Sequence, residues 1–339
     1  MRVCFLNLGS DADPFFAKLT SFMRTAADDL GIDLEVVDCH RDSARVRREG
    51  LALIERDPPP EYLLMTNHRS LAAELLPQAD AAGIKVFLIN EGLLTAERDR
   101  IGKPREKLAH WLGELVPDDC QCGSLLAESL IAAAKARGKV GGDGKVHVGG
   151  IGGAFTMSSL ARVTGLRMAV HAHEDVSLGG VFPANWERAK AREVTARQFA
   201  DDPEVTVVWA ASDEMALGAI DAVAATGRTP GEDVLIGGVD WASFVPAKIR
   251  EGVLTASAGG HCMDGAWALV LLHDAHHGFL SESFQEKSAF AVITRDNLDQ
   301  YARLFDEGWR SVDFSRFSRA GNPQLAGYDF TLAALLSSS

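Results

Sequence analysis

Short apolar runs alternate along this chain with stretches in which apolar residues recur every three or four positions. The run at 3–8 predicts a buried strand, and the spacing of Phe16, Leu19 and Met23 predicts a helix that Gly31 ends. Further strands of this series are expected at 34–37, 61–65 and 86–89. Because strands that alternate with helices form parallel sheets with right-handed crossovers, this part of the chain predicts an α/β fold.

The same alternation starts again in the second half of the chain. A helical pattern around Leu126 and Leu130 ends at Gly138. Strands are then expected at 145–148, 207–209 and 235–239, each with a helix after it. Two successive series of this kind predict two similar lobes, with passages between them near 112–115 and 255–260.

These series divide the chain into two lobes and a tail. Lobe one is expected at 1–112 and 260–286, and lobe two at 113–259 and 287–294. The C-terminal tail, 295–339, contains several aromatic residues and is expected to pack on the lobes, because unstructured segments rarely carry so many rings. A length of 339 residues agrees with about two domains.

Composition narrows the classes of partner. The chain has 34 basic and 47 acidic residues and a formal net charge of −13, which argues against nucleic acid and against an anionic membrane surface. Its five cysteines cannot form a closed disulfide set, and Cys120-Gln-Cys122 lacks the spacing of a redox or zinc motif, so buried free thiols are expected. No apolar run approaches the ~20 residues of a membrane-spanning helix, and no signal sequence precedes the first strand.

Each predicted strand ends in a loop that carries short polar side chains, an aromatic ring or both. These loops are 10–16, 67–69 and 90–91 in the first series and 149–155, 212–213 and 240–241 in the second. In open α/β sheets, ligands bind beyond the carboxyl ends of the strands. Carboxylates and amides hydrogen-bond neighbouring hydroxyl groups, and aromatic rings pack on the C–H faces of sugars. The pattern therefore favours a site for a polyhydroxylated ligand over a set of ordinary loops and helix caps.

The most informative loop follows the strand at 207–209. Ser212 or Asp213 is expected to cap the helix that begins there. The glycine-rich loop 149–155 matches a dinucleotide-binding turn only in part, because Phe155 stands where a third glycine is required. The glycines of this loop instead favour a turn in which the backbone closely approaches a helix or a ligand.

Three further residues have two interpretations each. Arg162 lies two turns into a predicted helix and is either solvated or turned toward a ligand, to whose oxygens it would donate two parallel hydrogen bonds. Trp186 is either a core ring or a platform that stacks on a sugar. His261 falls at the second passage between lobes and is a candidate cleft or hinge residue. No spacing of histidines or cysteines predicts a metal site.

Three segments together resemble the periplasmic sugar-binding proteins of the ribose-binding type. They are Asp13-Pro-Phe-Phe16, Ser212-Asp-Glu-Met-Ala-Leu-Gly-Ala219 and Gly237-Gly-Val-Asp240, and the likeness spans residues 2–293. The resemblance implies the type I periplasmic binding protein fold. In that fold two Rossmann-like lobes, each a parallel sheet flanked by helices, are joined by a three-crossing hinge, and the ligand binds between them.

The resemblance also implies roles for residues of lobe one. Phe15 and Phe16 would stack on the ligand, and Asp13 would bond its hydroxyl groups. Asn67 corresponds to an asparagine that bonds the ligand. At the fourth strand the family has an Asp-Arg pair, and this chain has Asn90-Glu91 instead, so these two residues are predicted to bind the ligand with a different balance of donors and acceptors.

In lobe two, Arg162, Trp186 and Asp240 correspond to an arginine, an aromatic stacker and an aspartate that contact the ligand. Ser212 stands where the family has asparagine, and it is predicted to bind the ligand together with Asp213.

The departures from the family pattern argue against ribose itself. At the last crossing the family's glutamine is replaced by Gly260, with His261 beside it as the predicted ligand-binding residue. The long tail resembles the branch of the family that includes quorum-signal receptors and other sensory binding proteins.

The expected function is that of an extracytoplasmic solute-binding protein with no catalytic activity, cofactor or metal. The protein would close its lobes around a small neutral sugar-like ligand. It would then present the closed form to the membrane permease of an ABC importer, or to a sensor kinase or chemoreceptor. We expect a periplasmic monomer, with the signal peptide absent from this chain and no nucleic-acid partner.

Two other functional classes are weaker alternatives. The effector-binding domain of a lactose-repressor-type regulator shares this fold, but it requires a DNA-binding part of roughly 50–60 residues before the first strand. An enzyme would use Glu91, Asp213, Asp240 and His261 as acid–base groups, but no nucleophile motif, phosphate loop or metal spacing accompanies them.

Overall fold

The computed structural model describes residues 1–280, 282–305 and 308–337. Strands and helices alternate from the first residues. In chain order the first elements are β1 (Arg2–Asn7), α1 (Pro14–Leu30), β2 (Asp33–Asp38), α2 (Ser43–Glu55), β3 (Tyr62–Met65), α3 (Leu71–Ala81), β4 (Lys85–Ile89), α4 (Thr95–Ile101) and β5 (Trp111–Pro117).

A second alternating series follows. Its elements are α5 (Asp119–Ala136), β6 (Val146–Gly152), α6 (Met157–His171), β7 (Val176–Pro183), α7 (Arg188–Asp201), β8 (Val207–Ala210), α8 (Asp213–Ala225), β9 (Leu235–Val239), α9 (Val245–Glu251) and β10 (Ala256–Gly259). The remaining elements are α10 (Asp264–His276), β11 (Phe284–Ser288), β12 (Ala291–Thr294) and α11 (Leu332–Leu336), with short 3₁₀ helices at His68–Ser70, His261–Met263, Leu298–Leu304, Gly308–Ser311 and Phe314–Phe317.

These elements form two compact units. Unit 1 comprises Met1–Pro117, His261–Ser288 and the described residues from 308 onward, and unit 2 comprises Asp118–Gly260 and 289–305. Each unit contains one six-stranded sheet, in the order β11-β5-β4-β3-β1-β2 in unit 1 and β12-β10-β9-β8-β6-β7 in unit 2. Neighbouring strands are parallel, apart from the antiparallel pair β10 and β12. The predicted α/β class is therefore confirmed.

Both sheets have a switch point in strand order. In unit 1, Val3 of β1 lies opposite Leu34 of β2 on one side and Tyr62 of β3 on the other. In unit 2, β6 lies in the same way between β7 and β8. At such a point, the connections on the two sides leave the sheet in opposite directions and create a crevice at the carboxyl edge. Each unit therefore has its own place for ligand-binding loops.

Local sequence explains why the first strands and helices form. Every residue of β3 and β8 is buried, as expected for parallel strands covered on both faces by helices. Helix α1 begins at Asp13, whose side chain accepts a hydrogen bond from the amide of Phe15, with Pro14 at the first helical position. It ends at Gly31, which adopts the left-handed conformation with φ of 63°.

The structure corrects the sequence prediction in two respects. The predicted strands are present with ends that differ by a few residues, but β7, β11 and β12 were not predicted, and β5 and β10 occupy the segments that were expected to be passages between lobes. The three unpredicted strands are edge strands whose residues are largely half-buried or exposed, and β7 and β11 also lack a continuous apolar run. The expected passage at 112–115 falls inside β5, because this strand pairs with β4 and β11 and keeps the chain in unit 1 through Pro117.

The described tail residues from 308 onward pack within unit 1. The Trp267 ring stacks on Phe330 at 4.8 Å between ring centroids, and Trp309 lies 5.0 Å from Phe22. Buried Asp274 accepts a hydrogen bond from Tyr328 Oη at 2.8 Å. The 3₁₀ helix at Leu298–Leu304 belongs to unit 2, so the expected single tail from residue 295 is shared by the two units. The lobe boundaries stated above otherwise stay a prediction.

The cysteines agree with the expectation of free thiols. All five cysteines are free, and only Cys120 is not fully buried. Burial raises the pKa of the Cys4 thiol to about 12 and that of the Cys39 thiol to about 11, which keeps both protonated at neutral pH. Within the described residues, no helix is long and apolar enough to cross a membrane.

Candidate ligand-binding site

The loop after β1 places Asp13, Phe15 and Phe16 at the start of α1. Asp13 Oδ1 accepts a hydrogen bond from the Phe15 amide at 3.2 Å, and Asp13 Oδ2 accepts one from Arg41 Nε at 2.6 Å. Phe15 is half-buried, and its ring stacks on His261 with 4.8 Å between centroids and 22° between planes. Phe16 is buried in the core of unit 1. Of the two rings, Phe15 therefore offers the more accessible face.

Asn67 follows β3, and its side-chain amide makes hydrogen bonds within unit 1. Its Oδ1 accepts a hydrogen bond from the Ala73 amide at 3.2 Å. Its Nδ2 donates to the Gly92 carbonyl at 3.1 Å and to Glu97 Oε2 at 2.8 Å. Asn67 thus holds the loop after β4 in place, and the ligand contact expected for it stays a prediction.

Asn90 and Glu91 form the tip of β4. Asn90 has a φ of 64° in the left-handed region, and its Oδ1 and Nδ2 are buried without a hydrogen-bond partner among the residues described. Glu91 is half-buried, and its carbonyl accepts a hydrogen bond from the Asn67 amide at 3.0 Å. The loop therefore has a well-defined backbone with an unsatisfied amide side chain at its start.

Arg162 in unit 2 is buried, so the solvated interpretation of this residue is wrong. Its Nε donates to Asp119 Oδ1 at 2.7 Å. Its Nη1 donates to the Ala211 carbonyl at 2.8 Å and to Asp240 Oδ1 at 3.3 Å. Burial alone would lower the pKa of the guanidinium, but the charges of Asp119 and Asp240 raise it above its usual value. Arg162 is thus a fixed cation at the carboxyl ends of β8 and β9.

Trp186 lies beside this arginine. The Arg162 guanidinium carbon is 5.8 Å from the centroid of the Trp186 ring. A Cβ on Gly153 would lie 2.2 Å from the same ring, so only glycine fits beneath it. The half-buried ring fits the platform interpretation better than the core interpretation.

The side chains of Ser212 and Asp213 both make hydrogen bonds within unit 2. Ser212 Oγ accepts a hydrogen bond from the Met215 amide at 3.3 Å, which confirms Ser212 as the cap of α8. Asp213 is fully buried and accepts hydrogen bonds from Ser257 Oγ at 2.8 Å and from the Ala242 amide at 2.9 Å. These contacts tie α8 to β10 and to the loop after β9. Ligand binding by these two residues stays a prediction.

A strained turn after β9 sets the direction of the Asp240 side chain. Asp240 has a φ of 114° and Trp241 a φ of 55°, both in the left-handed half of backbone space. The buried Trp241 ring fills the place where a Cβ of Gly259 would lie, at 2.2 Å. The Asp240 amide donates to the Ala258 carbonyl at 2.8 Å. The turn is therefore fixed, and it directs the Asp240 carboxylate toward Arg162.

Backbone strain concentrates in the strand-tip loops, which we define as the loops that follow the carboxyl ends of the parallel strands. Among the described residues other than glycine, Arg105 is the one residue with positive φ outside such a loop. The others are His40, Arg41, Arg69, Ser70, Asn90, Asn185, Trp186, Asp240 and Trp241. Strained residues are retained mainly at functional sites, where the surrounding structure enforces them.

Sequence reasoning missed two charged partners of the predicted residues. Asp119 bonds Arg162, but in the sequence it follows Asp118 at the start of a helix and has the pattern of a cap. Arg41 bonds Asp13, and no local pattern links residues so far apart in the chain. Both become visible only when the fold brings together residues that are far apart in the chain.

Comparisons with known proteins place the chain in a family. A model described as the periplasmic binding protein domain matches residues 3–275. A periplasmic sugar-binding protein from Pseudomonas fluorescens, solved by crystallography, is 31% identical with a TM-score of 0.88 and covers 99% of each chain. Since the family model stops at residue 275, the Pseudomonas structure shows that the tail also has a counterpart.

Two further relatives agree with this placement. The ribose import binding protein of Escherichia coli (strain K12) is 28% identical over 248 residues, or 72% of this chain and 74% of that protein. A crystal structure from Mycobacterium smegmatis in complex with β-D-fucofuranose is 15% identical, has a TM-score of 0.76 and covers 97% of this chain, so it supports the fold alone. These matches confirm the predicted type I fold and a binding protein rather than an enzyme. The chain belongs to the periplasmic binding protein family and is a sugar-binding protein of its ribose-binding type.

Proposed function

We propose that this protein captures one small, neutral, polyhydroxylated ligand, a sugar or a sugar-like compound, with groups of its strand-tip loops. The observation that carries the proposal is the arrangement of Arg162 between Asp119 and Asp240, at 2.7 and 3.3 Å, beside the half-buried Trp186 ring. A fixed cation with a carboxylate beside it presents donors and acceptors to hydroxyl groups. A ring at the same place suits the C–H face of a sugar.

Unit 1 also carries groups at its strand tips that suit a ligand. Phe15 stacks on His261, which leaves a half-buried aromatic face at the start of α1. Asp13 is held beside it by Arg41. In this proposal Phe15, with Asn90 at the tip of β4, contacts the ligand. Phe16 supports the Phe15 loop from the core.

Some predicted residues act indirectly in this proposal. Asn67, Ser212 and Asp213 hold the strand-tip loops in shape, because their polar side-chain atoms already bond groups of their own unit. The proposed ligand-contacting residues of unit 2 are Arg162, Trp186 and Asp240.

The partner that follows from this function is the permease of an ABC importer, to which the loaded protein would deliver its ligand in the periplasm as a monomer. The relatives support this partner, since the matching Escherichia coli protein is named a ribose import binding protein. A D-allose-binding periplasmic protein of the same organism matches over 139 residues at 32% identity. A sensor kinase or chemoreceptor is the alternative partner. Transport of labelled ligand into vesicles that carry the cognate permease would separate the two.

A thermal-shift panel tests the ligand class. The protein is unfolded and refolded to remove any bound compound, then heated with neutral pentoses, hexoses, cyclitols and linear polyols. A ligand at about 100 times its Kd stabilises the folded state by about 2.7 kcal/mol. For chains of this size that is a rise in Tm of roughly 5 °C. No rise with any neutral polyol would contradict the proposal.

A further inference from the structure

A mixed set of histidine and carboxylate side chains lies at the amino end of β6 in unit 2, at the opposite edge of the sheet from the strand-tip loops. His147 Nε2 lies 2.9 Å from Asp143 Oδ1 and 3.7 Å from Glu204 Oε2. One side-chain atom from each of the three residues lies within 4.8 Å of the other two. The spacing of histidines and cysteines does not reveal this set, because Glu204 joins it only through the pairing of β6 with β8.

The spacing of these three atoms fits one metal ion. With metal–ligand bonds of about 2.1 Å, neighbouring ligands of a tetrahedral ion are roughly 3.4 Å apart. The contacts of His147 at 2.9 and 3.7 Å lie on either side of that value. The side chains of Asp143 and Glu204 are exposed and can adjust by this amount. The set therefore provides three ligands and leaves a fourth position for water.

Asp202 fixes the orientation of the imidazole. Its Oδ2 accepts a hydrogen bond from His147 Nδ1 at 3.2 Å, and its Oδ1 accepts one from the Glu204 amide at 3.0 Å. Because a carboxylate only accepts, Nδ1 carries the proton, and Nε2 is the nitrogen that can coordinate an ion. Metal-ligating histidines almost always have such a partner on their second nitrogen.

The loop between α5 and β6 holds one carboxylate and leaves room beside the ligand atoms. The Gly142 amide donates to Glu204 Oε1 at 3.0 Å, so Oε2 is the oxygen that faces the imidazole. A Cβ on Gly141 would lie 2.8 Å from Glu204 Oε2 and 2.9 Å from His147 Nε2. Glycine at position 141 therefore keeps open a space that any other side chain would fill.

We propose that Asp143, His147 and Glu204 bind one divalent cation of the zinc type, with Asp202 as a positioning residue. An imidazole nitrogen with two carboxylates suits Zn²⁺, whereas Ca²⁺ and Mg²⁺ prefer sets made of oxygen alone. Without a metal ion the imidazole donates to these carboxylates, so binding of the ion displaces a proton. The ion would join the loop before β6 to the loop before β8. This stabilising role goes beyond the proposed function, which concerns the other edge of the sheet.

Calorimetric titration of the EDTA-treated, desalted full chain with ZnCl₂ tests this inference. We expect one Zn²⁺ per chain, with binding at least about 10-fold tighter than that of Ca²⁺ or Mg²⁺. Zn²⁺ at about 100 times its Kd should raise the Tm by roughly 5 °C. Co²⁺ serves as a spectroscopic probe. It should show the visible absorption of a tetrahedral site, and Zn²⁺ should remove that absorption.

Variants assign the ion to these residues. His147→Gln should weaken Zn²⁺ binding at least about 100-fold, and Asp202→Asn should weaken it about 10- to 100-fold and alter the Co²⁺ spectrum. Gly141→Ala keeps every ligand but fills the space beside them, and it should also weaken binding. The matched control is His173→Gln, because His173 pairs with a single carboxylate, Glu128, at 2.8 Å. This control should keep the wild-type Zn²⁺ affinity. The Tm of each variant in EDTA shows that it is folded.

Each outcome decides one claim. Absence of Zn²⁺ binding to the wild type would overturn the inference, as would wild-type affinity in both His147→Gln and Gly141→Ala. Tighter binding of Ca²⁺ than of Zn²⁺ would contradict the class of metal. An unchanged affinity and Co²⁺ spectrum in Asp202→Asn would remove its positioning role. Failure of every polyol in the thermal-shift panel would overturn the proposed function and leave this inference standing.

Discussion

Arg162 and Asp119 form a buried ion pair, in which Arg162 Nε lies 2.7 Å from Asp119 Oδ1 and the two side chains are 6% and 8% exposed. The pair connects α6 to the start of α5, and through Nη1 the same guanidinium reaches Asp240 at 3.3 Å. A charge in this environment is retained only if its partners are held in place. The pair therefore sets the position of the cation on which the proposed site in unit 2 depends.

Asp119→Asn should destabilise the protein strongly. Removal of one partner of a buried ion pair leaves the other charge poorly compensated, at a cost of about 3 kcal/mol in the free energy of unfolding. Chemical denaturation of the full chain measures this cost. The matched control is Asp221→Asn, since Asp221 pairs with the half-exposed Arg188 at 2.8 Å. The control should cost less than about 1 kcal/mol. Equal costs would contradict the structural role of Asp119.

Gly153→Ala should weaken ligand binding. A Cβ at this position would lie 2.2 Å from the Trp186 ring, so the ring must move away from Arg162. Calorimetric titration with the ligand found in the polyol panel should show about a 10-fold loss of affinity, the size expected for one displaced aromatic contact. At Gly179, by contrast, the nearest atoms to a Cβ are 3.8 Å away, and Gly179→Ala should bind normally. Unchanged affinity in Gly153→Ala would argue against Trp186 as a stacking platform.

The stability of unit 2 should depend on the protonation of His147, at the amino end of β6. Its hydrogen bond to Asp143 at 2.9 Å raises its pKa, against the opposing effect of burial, and a hydrogen bond to Asp202 raises it further. A raised histidine pKa stabilises the folded state fully below the unfolded value of about 6.5, and the stabilisation is lost as pH rises through the folded pKa. The same pairing lowers the pKa of Asp143, whose contribution is lost on acidification below about 4.

His147→Gln should therefore lower stability more at about pH 5.5 than at about pH 8.5. Urea denaturation of the wild type and the variant at both pH values gives the comparison. A His171→Gln variant, changed at the exposed residue that ends α6, controls for the effect of the substitution itself. If His147→Gln costs the same at both pH values, the hydrogen bonds to Asp143 and Asp202 do not favour the protonated ring.

Asp274→Asn should loosen the described tail. Asp274 is fully buried and accepts hydrogen bonds from Ser318 Oγ at 2.5 Å and from the Arg319 and Ala320 amides at 2.7 and 3.0 Å. Loss of the charge should cost about 3 kcal/mol, because hydrogen bonds to a charged acceptor are stronger than neutral ones.

Limited proteolysis with mass analysis should show faster cleavage after residue 308 in Asp274→Asn. Asp329 is exposed and, among the described residues, bonds only locally, to Thr331, so Asp329→Asn makes a matched control with no change in cleavage expected. Resistance of Asp274→Asn to proteolysis equal to that of the control would show that the tail is held by its aromatic contacts alone.

Most central strands were predictable from the sequence because parallel strands are buried on both faces, although β5 and β10 were interpreted as passages between lobes. The runs at 61–65 and 207–209 needed no tertiary information, since apolar character marks a buried strand wherever it lies. Edge strands such as β7 were not predictable in this way. The residues Val-Ser-Leu-Gly-Gly-Val of that strand are largely half-buried and do not form a continuous apolar run. The strand is recognised only by its pairing with β6 in the folded chain.

The site was predictable at the level of loops but not of individual atoms. The turn at Ser212-Asp213 follows from the end of an apolar run, and Asp240 follows from the next strand. The sequence does not indicate that Asp213 accepts hydrogen bonds from Ser257 and Ala242, because these contacts join segments far apart in the chain. It also does not indicate that the side-chain amide of Asn90 is unsatisfied, because this depends on the hydrogen-bonding groups of every neighbouring element.

Mass spectrometry of the compound released from the purified protein tests the central claim most directly. Native spectra should show one small molecule per chain, and denaturation should release a neutral compound with several hydroxyl groups. Its mass should disappear from the spectrum of a double variant, Arg162→Ala with Asp240→Ala, that remains folded. Release of an anion such as a sugar phosphate, or of an apolar compound, would contradict the account.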